Sequence, residues 1–180
     1  ANYTYEEVAL DGDWYWFDGV GMVAVSKDVF QTSNGGKWVR YDEEGRMVKG
    51  WDDTPQGKYY FDPITGAMAK GVKQIDGKYY YFYNMTGIRA EYQNEEVPID
   101  GYWRWFDADG TVAVSKDVYQ WSSGGKWVRY DASGGMVKGW NHTFWGSYYF
   151  DLTTGAMAKG LSYIDGRWYY FDEGTGILRW

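Results

Sequence analysis

Cysteine is absent from the 180 residues, proline occurs three times and histidine once. Without cysteine the chain has neither a disulfide framework nor a thiolate metal site. No run of about eighteen apolar residues exists, so no membrane insertion is expected. Ala1 leads directly into polar sequence with no visible signal peptide; a secreted product would carry its targeting segment outside these residues. A basic excess is also missing. Lys and Arg total 18 against 25 Asp and Glu, giving a net charge of −7 and a pI near 4.7. Nothing is available to neutralise a row of phosphates, which excludes nucleic acid even though aromatic strands could stack on its bases. Aliphatic residues are scarce and mean hydropathy is −0.61, too polar for a large aliphatic core.

What the chain does have is aromatic side chains, 22% of residues, and 25 glycines. Such a composition favours rings stacked on short strands. The sequence is also a duplication. Asp11–Ile88 maps onto Asp100–Ile177 without a gap, an offset of 89 residues (100 − 11), and most positions are identical, as in Ala24-Val25-Ser26-Lys27-Asp28-Val29 and Ala113-Val114-Ser115-Lys116-Asp117-Val118. The two halves are taken as 11–89 and 100–178 of one repeat domain, 1–180.

Within each half a shorter unit recurs: Gly, one variable residue, then an aromatic run. The units open at Gly12, Gly36, Gly57 and Gly77, and again at Gly101, Gly125, Gly146 and Gly166. A spacing of about 20 to 24 residues suits one supersecondary element. Each unit reads as a hairpin in which the aromatic strand comes first, an Asp- and Gly-containing turn follows, and a short strand returns, as across Lys58–Lys70. Helical periodicity is nearly absent. The expected fold is all-β, a solenoid of about eight stacked β-hairpin repeats in two duplicated halves. Isolated hairpins are marginal in water, so neighbours must bury each other's rings.

Three strings repeat through the chain: Gly36-Lys37-Trp38-Val39-Arg40-Tyr41-Asp42, then Met47-Val48-Lys49-Gly50-Trp51, then Gly57-Lys58-Tyr59-Tyr60-Phe61-Asp62 followed by Thr65-Gly66-Ala67-Met68-Ala69-Lys70-Gly71. With Ile164–Asp172, they resemble the choline-binding, or cell-wall-binding, repeat family. The resemblance covers nearly the whole chain. It implies a hairpin solenoid on a secreted or surface protein of a Gram-positive bacterium or its phage, whose aromatic clefts hold the choline or phosphocholine of teichoic acids. A quaternary ammonium donates no hydrogen bond, so ring faces are its natural partners. Strings such as Ile75–Phe82 are also similar to repeats of streptococcal glucan-binding regions and clostridial toxin ends, which bind carbohydrate; a glucan is the alternative ligand.

The family's typical unit places Gly-Trp after each hairpin, and here only Gly50-Trp51 and Gly139-Trp140 do so. The resemblance therefore implies one pocket per half, between the second and third hairpins. The first is expected to use Trp38, Tyr41, Met47, Trp51 and Tyr59, and the second Trp127, Tyr130, Met136, Trp140 and Tyr148. Arg40 and Arg129 are the hydrogen-bond donors expected for the carbohydrate alternative. No catalytic residue, metal site or cofactor is expected: His142 aligns with Asp53, and Asp52-Asp53 becomes Asn141-His142 in the other half, so no acid–base pair is duplicated. Trp180 is read as an exposed end that invites self-association.

Overall fold

The computed structural model describes residues 2–180, with Ser123 by its backbone alone. Among these residues sixteen five-residue strands form eight two-stranded antiparallel sheets. In the first half they are β1 (Glu6–Leu10) with β2 (Asp13–Phe17), β3 (Lys27–Gln31) with β4 (Lys37–Tyr41), β5 (Gly50–Thr54) with β6 (Gly57–Phe61), and β7 (Gly71–Ile75) with β8 (Lys78–Phe82). In the second half they are β9 (Glu95–Ile99) with β10 (Tyr102–Phe106), β11 (Lys116–Gln120) with β12 (Lys126–Tyr130), β13 (Gly139–Thr143) with β14 (Gly146–Phe150), and β15 (Gly160–Ile164) with β16 (Arg167–Phe171). The only helix among the described residues is two 3₁₀ turns, Thr32–Asn34 and Trp121–Ser123. The all-β expectation of eight hairpins holds.

The phase of the hairpins differs from the sequence reading. The aromatic strand is the second strand of its hairpin, and its partner precedes it. At Leu10-Asp11-Gly12-Asp13 the outer residues pair, and both central residues have positive φ, 53° at Asp11 and 92° at Gly12. That two-residue turn matches the right-handed twist of the strands and selects Asp-Gly. Asp76-Gly77, Asp100-Gly101 and Asp165-Gly166 repeat it.

The loop after the aromatic strand is wider, and it returns the chain for a single bridge. Asp62 folds it. Its carboxylate accepts the Ile64 and Thr65 amides at 2.9 and 2.8 Å, while Gly66 N–H donates to the Asp62 carbonyl. The bridges are Phe17–Val23, Tyr41–Met47, Phe61–Met68, Phe82–Arg89, Phe106–Val112, Tyr130–Met136, Phe150–Met157 and Phe171–Leu178. Each bridging residue from Met47 onward, Val112 included, also donates its amide to a strand of the preceding hairpin, as Met47 does to Trp14 O (2.8 Å) and Leu178 to Ser147 O (2.8 Å). One residue thus closes its own unit and fastens it to the one before.

Contacts divide the chain into one unit of residues up to Lys73 with Tyr81–Ala90, and another of Gln74–Tyr80 with Glu91–Trp180. The core of the first includes Trp16, Ala24, Val39 and Tyr41, with Met47 against them; that of the second includes Ala113, Val128 and Tyr130, with Met136. Each core also holds a polar triad of a buried glutamine, a buried tyrosine and a half-buried glutamate. In the first unit, Gln31 Nε2 donates to Tyr41 OH (2.6 Å) and Glu7 (2.9 Å), and Tyr41 OH donates to Glu7 (3.0 Å). Glu96, Gln120 and Tyr130 repeat it in the second. Burial first, and then the glutamate's charge in the first triad, drive the Tyr41 phenol far above its ordinary range; Tyr130 follows the same way.

The loop aspartates carry a pH dependence. Backbone amides and threonine hydroxyls hold Asp62, Asp151 and Asp172 below the usual carboxylate range; Thr111 and Lys78 take Asp109 to about 2. A carboxylate whose folded pKa is depressed stabilises the fold above its unfolded pKa of about 3.9, and that stability is lost as pH falls through the folded value. Melting temperature should therefore be level from neutral pH to about 5 and fall steadily below about 4. Thermal melts across that range check this, and a curve flat down to about pH 2 refutes it.

Candidate binding site

The two Gly-Trp tryptophans sit on the first strand of the third and seventh hairpins, where cross-strand pairing fixes their first partners. Trp140 is opposite Tyr149, and their rings meet at 5.2 Å and 69°. From the next hairpin Tyr169 approaches Trp140 at 5.1 Å and 73°, and Phe171 lies 6.0 Å away beneath. Trp140, Tyr149 and Tyr169 are each half-buried, so part of every ring meets solvent, whereas Phe171 is fully buried. Trp140 thus meets both tyrosines edge to face, and the three rings form one partly exposed cluster.

Burial, then Asp165 and Asp151, raise the Tyr149 phenol above its ordinary range. Among the described residues no guanidinium or ammonium lies over these three rings. His142 is exposed, stacks parallel to Trp140 at 6.2 Å and bonds Ser147 Oγ through Nδ1 at 2.7 Å.

In the first half Trp51 is opposite Tyr60, at 5.1 Å and 66°, with Phe82 at 6.1 Å. Here the Arg89 guanidinium lies over the indole, 5.8 Å from its centre.

The two sets of five expected site residues do not gather into one pocket each. Tyr41 and Tyr130 are 1% and 0% exposed and belong to the polar triads, closed to a surface ligand. Tyr59 and Tyr148 are buried beneath Arg40 and Arg129, whose guanidinium carbons stand 4.1 Å above the ring centres. Trp38 and Trp127 are exposed but pair with Phe30 and Tyr119 at 5.3 and 5.2 Å. Met47 and Met136 pack on the cores. Only Trp51 and Trp140 belong to partly exposed ring clusters, and those use the third and fourth hairpins of each half in place of the second and third. The reason is that the Gly-Trp strand belongs to the hairpin that follows it.

The Lys27-Asp28 and Lys116-Asp117 strings gain a role. Asp117 clamps Arg129 through Nε (2.7 Å) and a terminal nitrogen (2.9 Å), and Asn141 takes the other at 3.1 Å. Asp28 and Asp52 hold Arg40 in the same way. Asp28 chiefly keeps the Arg40 guanidinium charged at any accessible pH, burial opposing it. Beside Arg129 a groove of about 360 Å³ is walled by Tyr148 and by Trp145, a residue 77% exposed at a hairpin tip. Trp180 is 65% exposed while stacking on Tyr170 at 5.8 Å.

Residues 145–178 match the family model of the choline-binding repeat. Crystal structures of choline binding protein F from Streptococcus pneumoniae superpose on the chain with a TM-score of 0.52 at 26% identity; one, with a peptidoglycan analogue, covers 92% of this chain and 55% of that one, and a second crystal form covers 96% and 58%. Residues 145–178 thus carry a choline-binding repeat, and the hairpin array as a whole is similar to those structures. Over 106 residues, 58% of the chain, it is also 31% identical to Glucosyltransferase-I of Streptococcus downei. The repeat array spans about half the length of the former protein and 6% of the latter. No helix among its described residues is long and apolar enough to cross a membrane.

Proposed function

We propose that the chain is a non-catalytic binding module that holds the trimethylammonium group of choline on a cell-wall polymer such as teichoic acid, and thereby anchors a secreted protein of a Gram-positive bacterium or its phage. The observation that carries this reading is the meeting of Trp140, Tyr149 and Tyr169 in one partly exposed ring cluster, with Asp165 and Asp151 close enough to act on Tyr149. A quaternary ammonium has a diffuse positive charge and no proton to donate, and gains about 0.5–2 kcal/mol per desolvated ring contact. The family match within residues 145–178, which include Tyr149 and Tyr169, supports the same ligand.

Titrating choline while following tryptophan fluorescence tests it. The intact chain should give a saturable change, and Trp140→Ala should weaken it about tenfold or more, the loss of one good ring contact. An unaltered titration in a folded Trp140→Ala protein removes the reading.

The likeness to Glucosyltransferase-I favours a glucan as a second ligand. The Arg129 groove supplies what a sugar needs: Trp145 for a face, and Asn141, Asp117 and Arg129 held rigidly for hydroxyls. Trp145→Ala should then reduce dextran retention and leave choline binding unchanged.

A further inference from the structure

The two halves differ at the bridging residue of their fourth hairpins. The bridging residue that closes each hairpin is Val, Met, Met, Arg, Val, Met, Met and Leu in chain order, so Arg89 alone is charged. Its counterpart 89 positions on (89 + 89) is Leu178. Both are fastened identically: each bridges a buried Phe and donates its amide to the preceding hairpin, Arg89 to Lys58 O at 2.7 Å and Leu178 to Ser147 O at 2.8 Å. Position and backbone are thus equivalent, while one side chain carries a cation to the Trp51 ring at 5.8 Å and the other ends in methyl groups.

We propose that Arg89 is an internal ligand: its guanidinium occupies the cation place of the Trp51–Tyr60 cluster, so the first half is self-filled and only the Trp140–Tyr149–Tyr169 cluster is open to a quaternary ammonium. A cation within about 6 Å of an indole centre is attracted by the ring's quadrupole, as an incoming choline would be. An arginine already tethered there competes at a high effective concentration and repels a second positive charge. The chain uses the same device at Arg40 over Tyr59 and Arg129 over Tyr148. The assignment of choline rests on the function proposed above; the contact of Arg89 with Trp51 does not.

Calorimetric titration with choline chloride, on the intact chain and on Arg89→Leu and Leu178→Arg, reads the stoichiometry. The expected results are one site per chain, two sites after Arg89→Leu, and none after Leu178→Arg, with Arg89→Met as a second opening variant and melting curves showing that each protein folds. Two equal sites in the intact chain, or one unchanged site in folded Arg89→Leu and Arg89→Met, overturn the proposal. Proton NMR separates its failure from that of the choline reading: Arg89 δ-protons should show an upfield ring-current shift that Trp51→Leu removes, whether or not choline binds. Absence of that shift also overturns it, whereas its presence with no choline binding by any variant sinks the choline assignment alone.

Discussion

Replacing Gln120 with Ala is expected to destabilise the protein by about 2–4 kcal/mol. Its side chain is 0% exposed, and its amide nitrogen donates to Glu96 at 2.6 Å and Tyr130 OH at 2.8 Å. Truncation leaves a cavity beside the fully buried Tyr130 and takes a donor from the half-buried Glu96 carboxylate. For a chain of this length the drop in melting temperature should be about 5–10 °C. Tyr130→Phe, which keeps the volume and the Gln120–Glu96 bond, should cost only about 1 kcal/mol. A Gln120→Ala protein that melts within about a degree of the parent would show that the triad is not a structural centre.

A loss of similar size is expected from Gly155→Ala. At φ +68°, a Cβ added there would stand 2.4 Å from Met136 Sδ and 2.8 Å from its Cγ, both inner atoms of a side chain packed on the core. Left-handed strain of about 1–2 kcal/mol adds to overpacking of about 1–3 kcal/mol. Gly124→Ala is the control, since φ is +80° with nothing within 4 Å of its Cβ. It should cost the strain alone. Urea midpoints of the two variants read the difference; equal midpoints would mean that Met136 gives way freely and that the bridging methionines are not fixed.

The eight hairpins were legible because aromatic strands and Asp-Gly turns are local signals. Their phase was not, because an aromatic strand such as Asp13–Phe17 is flanked on both sides by turns bearing Asp and Gly, Asp11-Gly12 before it and Asp18-Gly19 after it. The deciding detail, positive φ at two successive residues such as Asp76 and Gly77, is a backbone property. That error carried into the site. Once Trp51 is placed on the strand before Tyr59-Tyr60-Phe61, alternation turns Tyr59 and Phe61 inward and sets Tyr60 beside the tryptophan. The sequence did contain the warning that Arg89 departs from the Val, Met and Leu pattern, but only knowledge of the bridges aligns those positions. Gln31 and Gln120 gave no signal, since Glu7 and Glu96 each lie 24 residues away from them.

The most direct measurement is a crystal structure of the chain grown with phosphocholine. The account predicts trimethylammonium density against Trp140, Tyr149 and Tyr169, with Arg89 still over Trp51. Density in the groove between Arg129 and Trp145 in its place, or none at the Trp140 cluster when the ligand is saturating in solution, would contradict it.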